Sequence, residues 1–133
     1  MATYHLQIVT PDGLYYDGEA EKLIVRSTTG DVCILAHHIN YVTALGMGVA
    51  KVTIDGKDRR AACVGGMLSV HEGEVKLVST TFEWSEDIDL ERAQRAEERA
   101  KEKLAHRDTL GDQELALAEA KLKRALIRQS AAK

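Results

Sequence analysis

Between residues 4 and 81 the apolar positions come in short runs with the two-residue period of strands, each closed by turn residues. Tyr4-His5-Leu6-Gln7-Ile8-Val9-Thr10 alternates and stops at Pro11-Asp12-Gly13, where Pro and Gly suit a tight turn. Further runs cover residues 20–28, 30–36, 43–55, 59–66, 67–73 and 74–80. Asp55-Gly56 and Glu72-Gly73 lie between runs like hairpin turns, with glycine supplying the positive φ such turns require. Around Val49, Val52 and Ile54 the alternation against Lys51, Thr53 and Asp55 is imperfect, so pattern alone does not set the registers. Many short strands with frequent turns predict a β-sandwich or flattened barrel.

After Ser85 the period changes. Leu90, Ala93, Ala96 or Glu97, Ala100 and Leu104 recur at steps of three and four, as do Leu115, Ala118, Leu122 and Ala125 or Leu126. Asp87 or Asp89 can cap the first helix and Asp112 the second, because a carboxylate accepts from the unpaired N–H groups of a first turn. Gly111 suits the turn between them, and a connection this short makes the helices fold back antiparallel or separate completely. The predicted fold is α+β: an N-terminal β-sandwich over residues 1–85, then a C-terminal antiparallel two-helix hairpin over residues 86–133. A seam of alanines buries little area at about 25 cal/mol per Å², so opening and detachment of the hairpin are expected.

Composition adds exclusions. The 133 residues suit one domain with an appendage, and a formal charge of -3 gives no basic footprint for nucleic acid. Residues 1–85 carry seven Lys/Arg against ten Asp/Glu, whereas residues 86–133 carry eleven of each. The start lacks a basic, apolar signal pattern, and no apolar run reaches the ~20 residues of a membrane span, so direct membrane insertion is not expected. Cys33 and Cys63, isolated in apolar segments of an unsignalled chain, read as buried thiols of a cytoplasmic protein.

The hairpin's arginines are the candidate chemistry. With the loop centred near Leu110, Arg92 faces Arg128, and Arg99 comes near Lys121 and Arg124. Lys121, Arg124 and Arg128 form a stripe with no acid at the neighbouring Leu117, Ala118 or Ala125. One reading is a solvated face laced with ion pairs such as Glu91–Arg95 and Glu119–Lys123. The other is a site for a polyphosphate, whose oxygens match guanidinium forks and reverse a mutual repulsion of ~1–4 kcal/mol per pair. On that reading, removing Arg128 would stabilise the ligand-free hairpin.

Ile88-Asp89-Leu90-Glu91-Arg92-Ala93 resembles the Ile/Leu-Asp-x-x-Arg-Ala segment of the epsilon subunit of bacterial F-type ATP synthases. The resemblance extends through "YHLQIVTPDG", "GDVCILAHHINYVTAL" and "GGMLSV", in order, over essentially the whole chain. It implies a central-stalk subunit at the cytoplasmic face of the cell membrane, peripheral to it, which couples proton flow to ATP synthesis. Its sandwich would bind the gamma subunit and the c-ring. Its hairpin would pass from a compact form to an extended one that reaches the catalytic alpha and beta subunits and blocks hydrolysis. The resemblance also implies ATP as a regulatory ligand of the compact form, with Glu83, Ile88, Asp89, Leu90, Arg92, Ala93, Arg99, Arg124 and Arg128 as its residues; the role of Mg²⁺ is left open. Asp31 and His38 map onto the c-ring contact, although Ala36-His37-His38-Ile39-Asn40-Tyr41 stands where the family has Pro-Gly-His-x-Pro-Leu. Read unaided, His37-His38 is a surface or partly buried pair without further metal ligands nearby.

No phosphate loop, nucleophile elbow or zinc helix is present, so no catalytic role, catalytic cofactor or metal is expected. Two other functions fit the residues: a free-standing ATP-sensing hairpin protein, and a non-nucleotide adaptor whose arginines are only solvated.

Overall fold

A computed structural model describes residues 2–132. Seven strands come first: β1 (Tyr4–Thr10), β2 (Gly13–Ala20), β3 (Lys22–Ser27), β4 (Gly30–Leu35), β5 (Tyr41–Ile54), β6 (Lys57–His71) and β7 (Glu74–Trp84). A 3₁₀ turn at Ser85–Asp87 leads to α1 (Leu90–Ala105), a second at Arg107–Thr109 to α2 (Asp112–Ala132). The sheet order is β2-β1-β7-β6-β5-β3-β4; β1 and β7 run parallel and the other neighbours antiparallel.

Three of these strands are longer than the sequence pattern predicts. Residues 59–66 and 67–73, read as separate runs, belong to one strand that passes through Gly65-Gly66. Residues 13–20, not read as a run, form β2, because Tyr15 and Tyr16 pack on the core while their glycines and acids hide the alternation.

Face switching is the key to the layers. In β6 Ala61 and Cys63 face inward before Gly65, whereas Leu68 and Val70 do so after it. β5 changes from Leu45 to Ala50 and Val52 across Gly46–Gly48, and β7 from Val75, Leu77 and Ser79 to Phe82 and Trp84. An extra residue in a strand moves its side chains to the opposite face and bends it. Three adjacent strands bend at one level, so a single hydrogen-bonded sheet folds into two layers. The closure is visible where the Tyr4 hydroxyl of β1 donates to the Ile34 carbonyl of β4 at 2.9 Å, though these strands are far apart in the sheet order. Between the layers lie Leu6, Ile8, Leu23, Val25, Ile34, Val52, Leu68, Leu77 and Phe82, nearly all fully buried.

His5 pins the β2 edge. Its Nδ1 lies 2.6 Å from Glu74 of β7, and its Nε2 contacts Asp17 of β2. Hydrogen bonds to these two carboxylates, Glu74 first, hold its pKa above the ordinary 6.5. Cys63 is buried as expected, and burial raises its pKa; Cys33 is exposed, because β4 is an edge strand whose odd positions face outward. That corrects the expectation of two buried thiols.

The bend in β6 depends on glycine. A Cβ on Gly66 would lie 1.9 Å from the Val78 carbonyl oxygen, and its φ of +113° is one that L side chains rarely adopt. Gly66→Ala should therefore lower the stability of the chain by on the order of 3 kcal/mol in urea denaturation, combining overpacking with backbone strain. Gly56→Ala, at φ +76° in an open turn, should cost only about 1–2 kcal/mol.

Candidate functional site

The switch of face in β6 and β7 determines what the helices meet. Beyond the bend Ala62 and Val64 point away from the core, opposite Glu83 and Thr81 respectively, and these four side chains make a floor. Asp89, rather than Asp87, caps α1, accepting from the Arg92 N–H at 3.1 Å. Asp112 is the first residue of α2, and the carbonyl before it, of Gly111, accepts from the Leu115 N–H at 2.9 Å. The helices fold back against each other through Ala93 and Ala100 of α1 and Ala118 and Ala125 of α2, all buried. Ala131 is buried too, at the end of α2 where it packs along β5 and β6.

Small side chains on three walls leave a space. A cavity of about 400 Å³ lies between hairpin and sheet, floored by Ala62, Val64 and Thr81 and flanked by Ala96, Ala100, Ala118 and Ala125. Around it stand Arg99, Lys103, Lys121, Arg124 and Arg128, with Glu83 as the one acid. Ligand cavities commonly measure about 300–1,000 Å³. Its charge is therefore strongly unbalanced, while its depth is apolar.

The C-terminal turn of α2 carries the polar contacts of the closed hairpin. Arg128 Nε donates to Glu83 Oε1 at 2.7 Å, Gln129 Nε2 to Glu97 Oε1 at 2.7 Å, and Arg60 Nη2 to the Ser130 carbonyl at 3.0 Å. Lys101 pairs with Glu97 at 2.6 Å; this bond first, then that from Gln129, lowers the Glu97 pKa below 4.5. At the junction Arg59 stacks 3.8 Å from the Trp84 ring centroid and pairs with Glu86, whose pKa is lowered by its own backbone N–H first and by Arg59 second.

Of the sequence-derived residues, Glu83, Arg99, Arg124 and Arg128 line the cavity together with Lys121. Ile88, Asp89, Leu90, Arg92 and Ala93 do not. Asp89 serves as the cap, Ala93 is buried in the seam, and Arg92 is exposed one turn before Ala96 on the same helical stripe. Arg128 is not an unpaired cation, because Glu83 neutralises it. Of the predicted helix pairs, Glu91–Arg95 is present at 3.9 Å, whereas Glu119–Lys123 is not formed among the described residues. Lys103, which the sequence reading passed over, lines the cavity; its place four residues after Arg99 was the available signal.

Asp31 lies at the start of β4, and His38 lies three residues beyond its end, in the connection to β5. Asp31 pairs with Arg26 at 2.8 Å beside a shallow depression of about 820 Å³ whose far wall is Lys123 and Ile127 of α2. His38 packs edge-on to Tyr41 and hydrogen-bonds the Ile39 carbonyl at 2.8 Å; His37 before it takes φ 65°. Among the described residues no His/Cys/Asp/Glu group could hold a metal, and no helix is long and apolar enough to cross a membrane.

Residues 3–85 match the family model of the ATP synthase delta/epsilon chain, beta-sandwich domain, and residues 86–133 that of the same chain's long alpha-helix domain. The chain is 42% identical over 127 residues to the ATP synthase epsilon chain of Caldanaerobacter subterraneus, covering 95% of this chain and 91% of that one. It is 37% identical to that of Shouchella clausii over 133 residues, covering 100% and 97%. A chain in the cryo-EM structure of the Euglena gracilis mitochondrial ATP synthase (OSCP/F1/c-ring) has a similar fold, with TM-score 0.85 and 22% identity over 100% of this chain and 83% of that one.

Glu97 supplies a pH test of the closed hairpin. A carboxylate with a lowered folded-state pKa contributes stability that is present above its unfolded value and lost as pH falls through the folded one. Acidification from neutrality to below 4.5 should accordingly lower the hydrogen-exchange protection of α2 amides relative to their intrinsic rates at each pH, and Glu97→Gln should remove part of that pH dependence. Identical pH profiles for both chains would show that this carboxylate does not hold the helices.

Proposed function

The chain belongs to the ATP synthase delta/epsilon chain family, and from that premise we propose that it regulates a bacterial F-type ATP synthase from the central stalk, with ATP as an effector of its hairpin. The two family models together span residues 3–133 and therefore the hairpin as well as the sandwich. In this reading the chain catalyses nothing. It couples proton flow to synthesis through its place in the assembly, peripheral to the membrane on the cytoplasmic side.

The sandwich is the docking part, for the gamma subunit and the c-ring. Its outer face below the bend carries an apolar row across five strands: Ala44, Met67, Val78, Val9 and Leu14, each opposite the next. Met67, Val78 and Leu14 are 51%, 44% and 58% exposed, an unusual concentration for a surface that meets only water. Asp31, at the start of β4, and His38, in the connection after it, would add polar contacts to the c-ring.

The hairpin is the moving part. Its alanine seam buries little, and much of its attachment rests on the polar contacts of Arg128, Gln129 and Ser130. Extended, it would reach the catalytic alpha and beta subunits and block hydrolysis. Compact, it forms the cationic cavity, and the observation that carries the ATP reading is the gathering of Arg99, Arg124 and Arg128 around that cavity with one acid. A ligand that binds only the compact form shifts the equilibrium by its differential affinity. The phosphates would meet the arginines, with Arg92 and the segment from Ile88 to Ala93 closing over the sandwich end.

Deleting residues 86–133 should leave a folded sandwich that assembles with gamma and should raise ATP hydrolysis by the assembled enzyme. An insoluble fragment, or an unchanged rate, would refute the division into docking and regulatory parts.

Calorimetric titration of the intact chain with ATP, with and without Mg²⁺, tests the effector. Arg99→Ala or Arg92→Ala should weaken binding by ~1.5–3 kcal/mol, roughly ten- to over a hundredfold, as for a charge-assisted hydrogen bond. Arg95→Ala should change it less than about twofold, since Arg95 lies off the cavity beside Glu91. Without ligand, Arg128→Ala should loosen the hairpin by stranding Glu83, the reverse of the relief that sequence alone suggests. No binding at millimolar ATP, or equal losses for Arg95 and Arg99, would remove the nucleotide site and leave the stalk assignment intact.

A further inference from the structure

The cations around the cavity are arranged in rungs. The chain approaches the connection along α1 and leaves it along α2. Arg99 lies four residues, or ~6 Å at 1.5 Å per residue, farther from the connection than Lys103 on α1, and Arg124 lies three residues, or ~4.5 Å, farther than Lys121 on α2. All four line the same cavity, so Arg99 with Arg124 makes one cationic rung, and Lys103 with Lys121 makes a second one nearer the loop. Beyond the first rung, toward the sandwich, Arg128 and Glu83 neutralise each other.

The second rung is poorly explained as a solvated face. Lys103 has Arg99, Ala100, His106 and Arg107 at three and four residues' distance, and Lys121 has Leu117, Ala118, Arg124 and Ala125. None of these is an acid. Among the described residues neither lysine makes an ion pair, while nearby Lys101 takes Glu97. A single phosphate or sulfate would neutralise one rung and leave the positive charge of the other unbalanced. Two rungs one above the other fit an anion whose charge repeats along a line.

We infer that Lys103 and Lys121 form a terminal subsite for a linear condensed phosphate lying along the hairpin axis, with or without a nucleoside at its far end. This rests on the reading of the cavity as a polyanion site and adds to it a preference for chain length. The arginine rung grips the inner phosphates with planar forks, and the lysines act on the terminal ones as point charges. Nothing in the subsite requires a base, since its lining there is alanine and ammonium.

The test is titration of the full chain, at one fixed ionic strength, with orthophosphate, inorganic tripolyphosphate, ATP and adenosine 5′-tetraphosphate. Tripolyphosphate should bind at least about tenfold more tightly than orthophosphate, and the tetraphosphate at least about threefold more tightly than ATP. The double variant Lys103→Gln with Lys121→Gln should lose about tenfold for tripolyphosphate and abolish the advantage of the tetraphosphate. Lys57→Gln with Lys76→Gln makes the same charge change on the sandwich and should alter each affinity less than about twofold; circular dichroism checks that both variants keep their helices. Tripolyphosphate bound no better than orthophosphate, or equal losses in the two double variants, would overturn the subsite. ATP binding that ignores Lys103 and Lys121 would reject the subsite while the effector reading stands. Tripolyphosphate binding that depends on them, without any ATP binding, would do the reverse.

Discussion

A sheet of seven strands can bury its side chains against itself only if its middle strands bend together. Here β5, β6 and β7 change face at one level, and the tightest point is where the backbone of Gly66 meets that of Val78. No side chain fits there. From this contact follow the two layers, the core they enclose, and the outward turn of Ala62, Val64, Thr81 and Glu83 that receives the helices. The cavity is thus downstream of a bend made for the sandwich, and a change that straightened β6 would remove the core and the floor together.

The hairpin obeys a different economy of forces. Alanines at the seam let the helices approach closely but remove little apolar area from water, so packing alone holds them weakly. Polar contacts supply the remainder, and they concentrate in one turn: Arg128 to β7, Gln129 to α1, and the Ser130 carbonyl to β6. These contacts are part-buried or exposed, and such interactions are modest and sensitive to pH and salt. The sandwich core itself draws on no residue of the hairpin, since its buried cluster ends at Trp84.

On the proposed reading, charge gives the closed form its selectivity. Bringing α1 and α2 together sets Arg99, Lys103, Lys121 and Arg124 around one space, which costs free energy in the absence of an anion and returns it when one binds. Glu83 limits the cost at one end by pairing with Arg128. On that reading the closure that creates the site is also what a bound polyanion would stabilise, and linkage between binding and conformation would need no further device.

The sequence by itself determined that strands come first and a two-helix hairpin follows, because periods of two and of three to four are properties of local spacing. It also determined that arginines at 99, 124 and 128 share a side of a closed hairpin, since helical geometry and a short turn leave them little choice. It did not reveal that residues 59–73 form one strand, because Gly65-Gly66 reads as a turn until neighbouring strands show a bend at the same level. Nor did it reveal β2, where glycine and acid interrupt the alternation, or the exposure of Cys33, which depends on β4 being an edge. The partnership of Glu83 with Arg128 and the presence of Lys103 in the cavity were likewise tertiary outcomes. Each joins residues whose approach depends on how α2 crosses the sheet and in what register it meets α1, and no spacing along a single element encodes a distance between two of them.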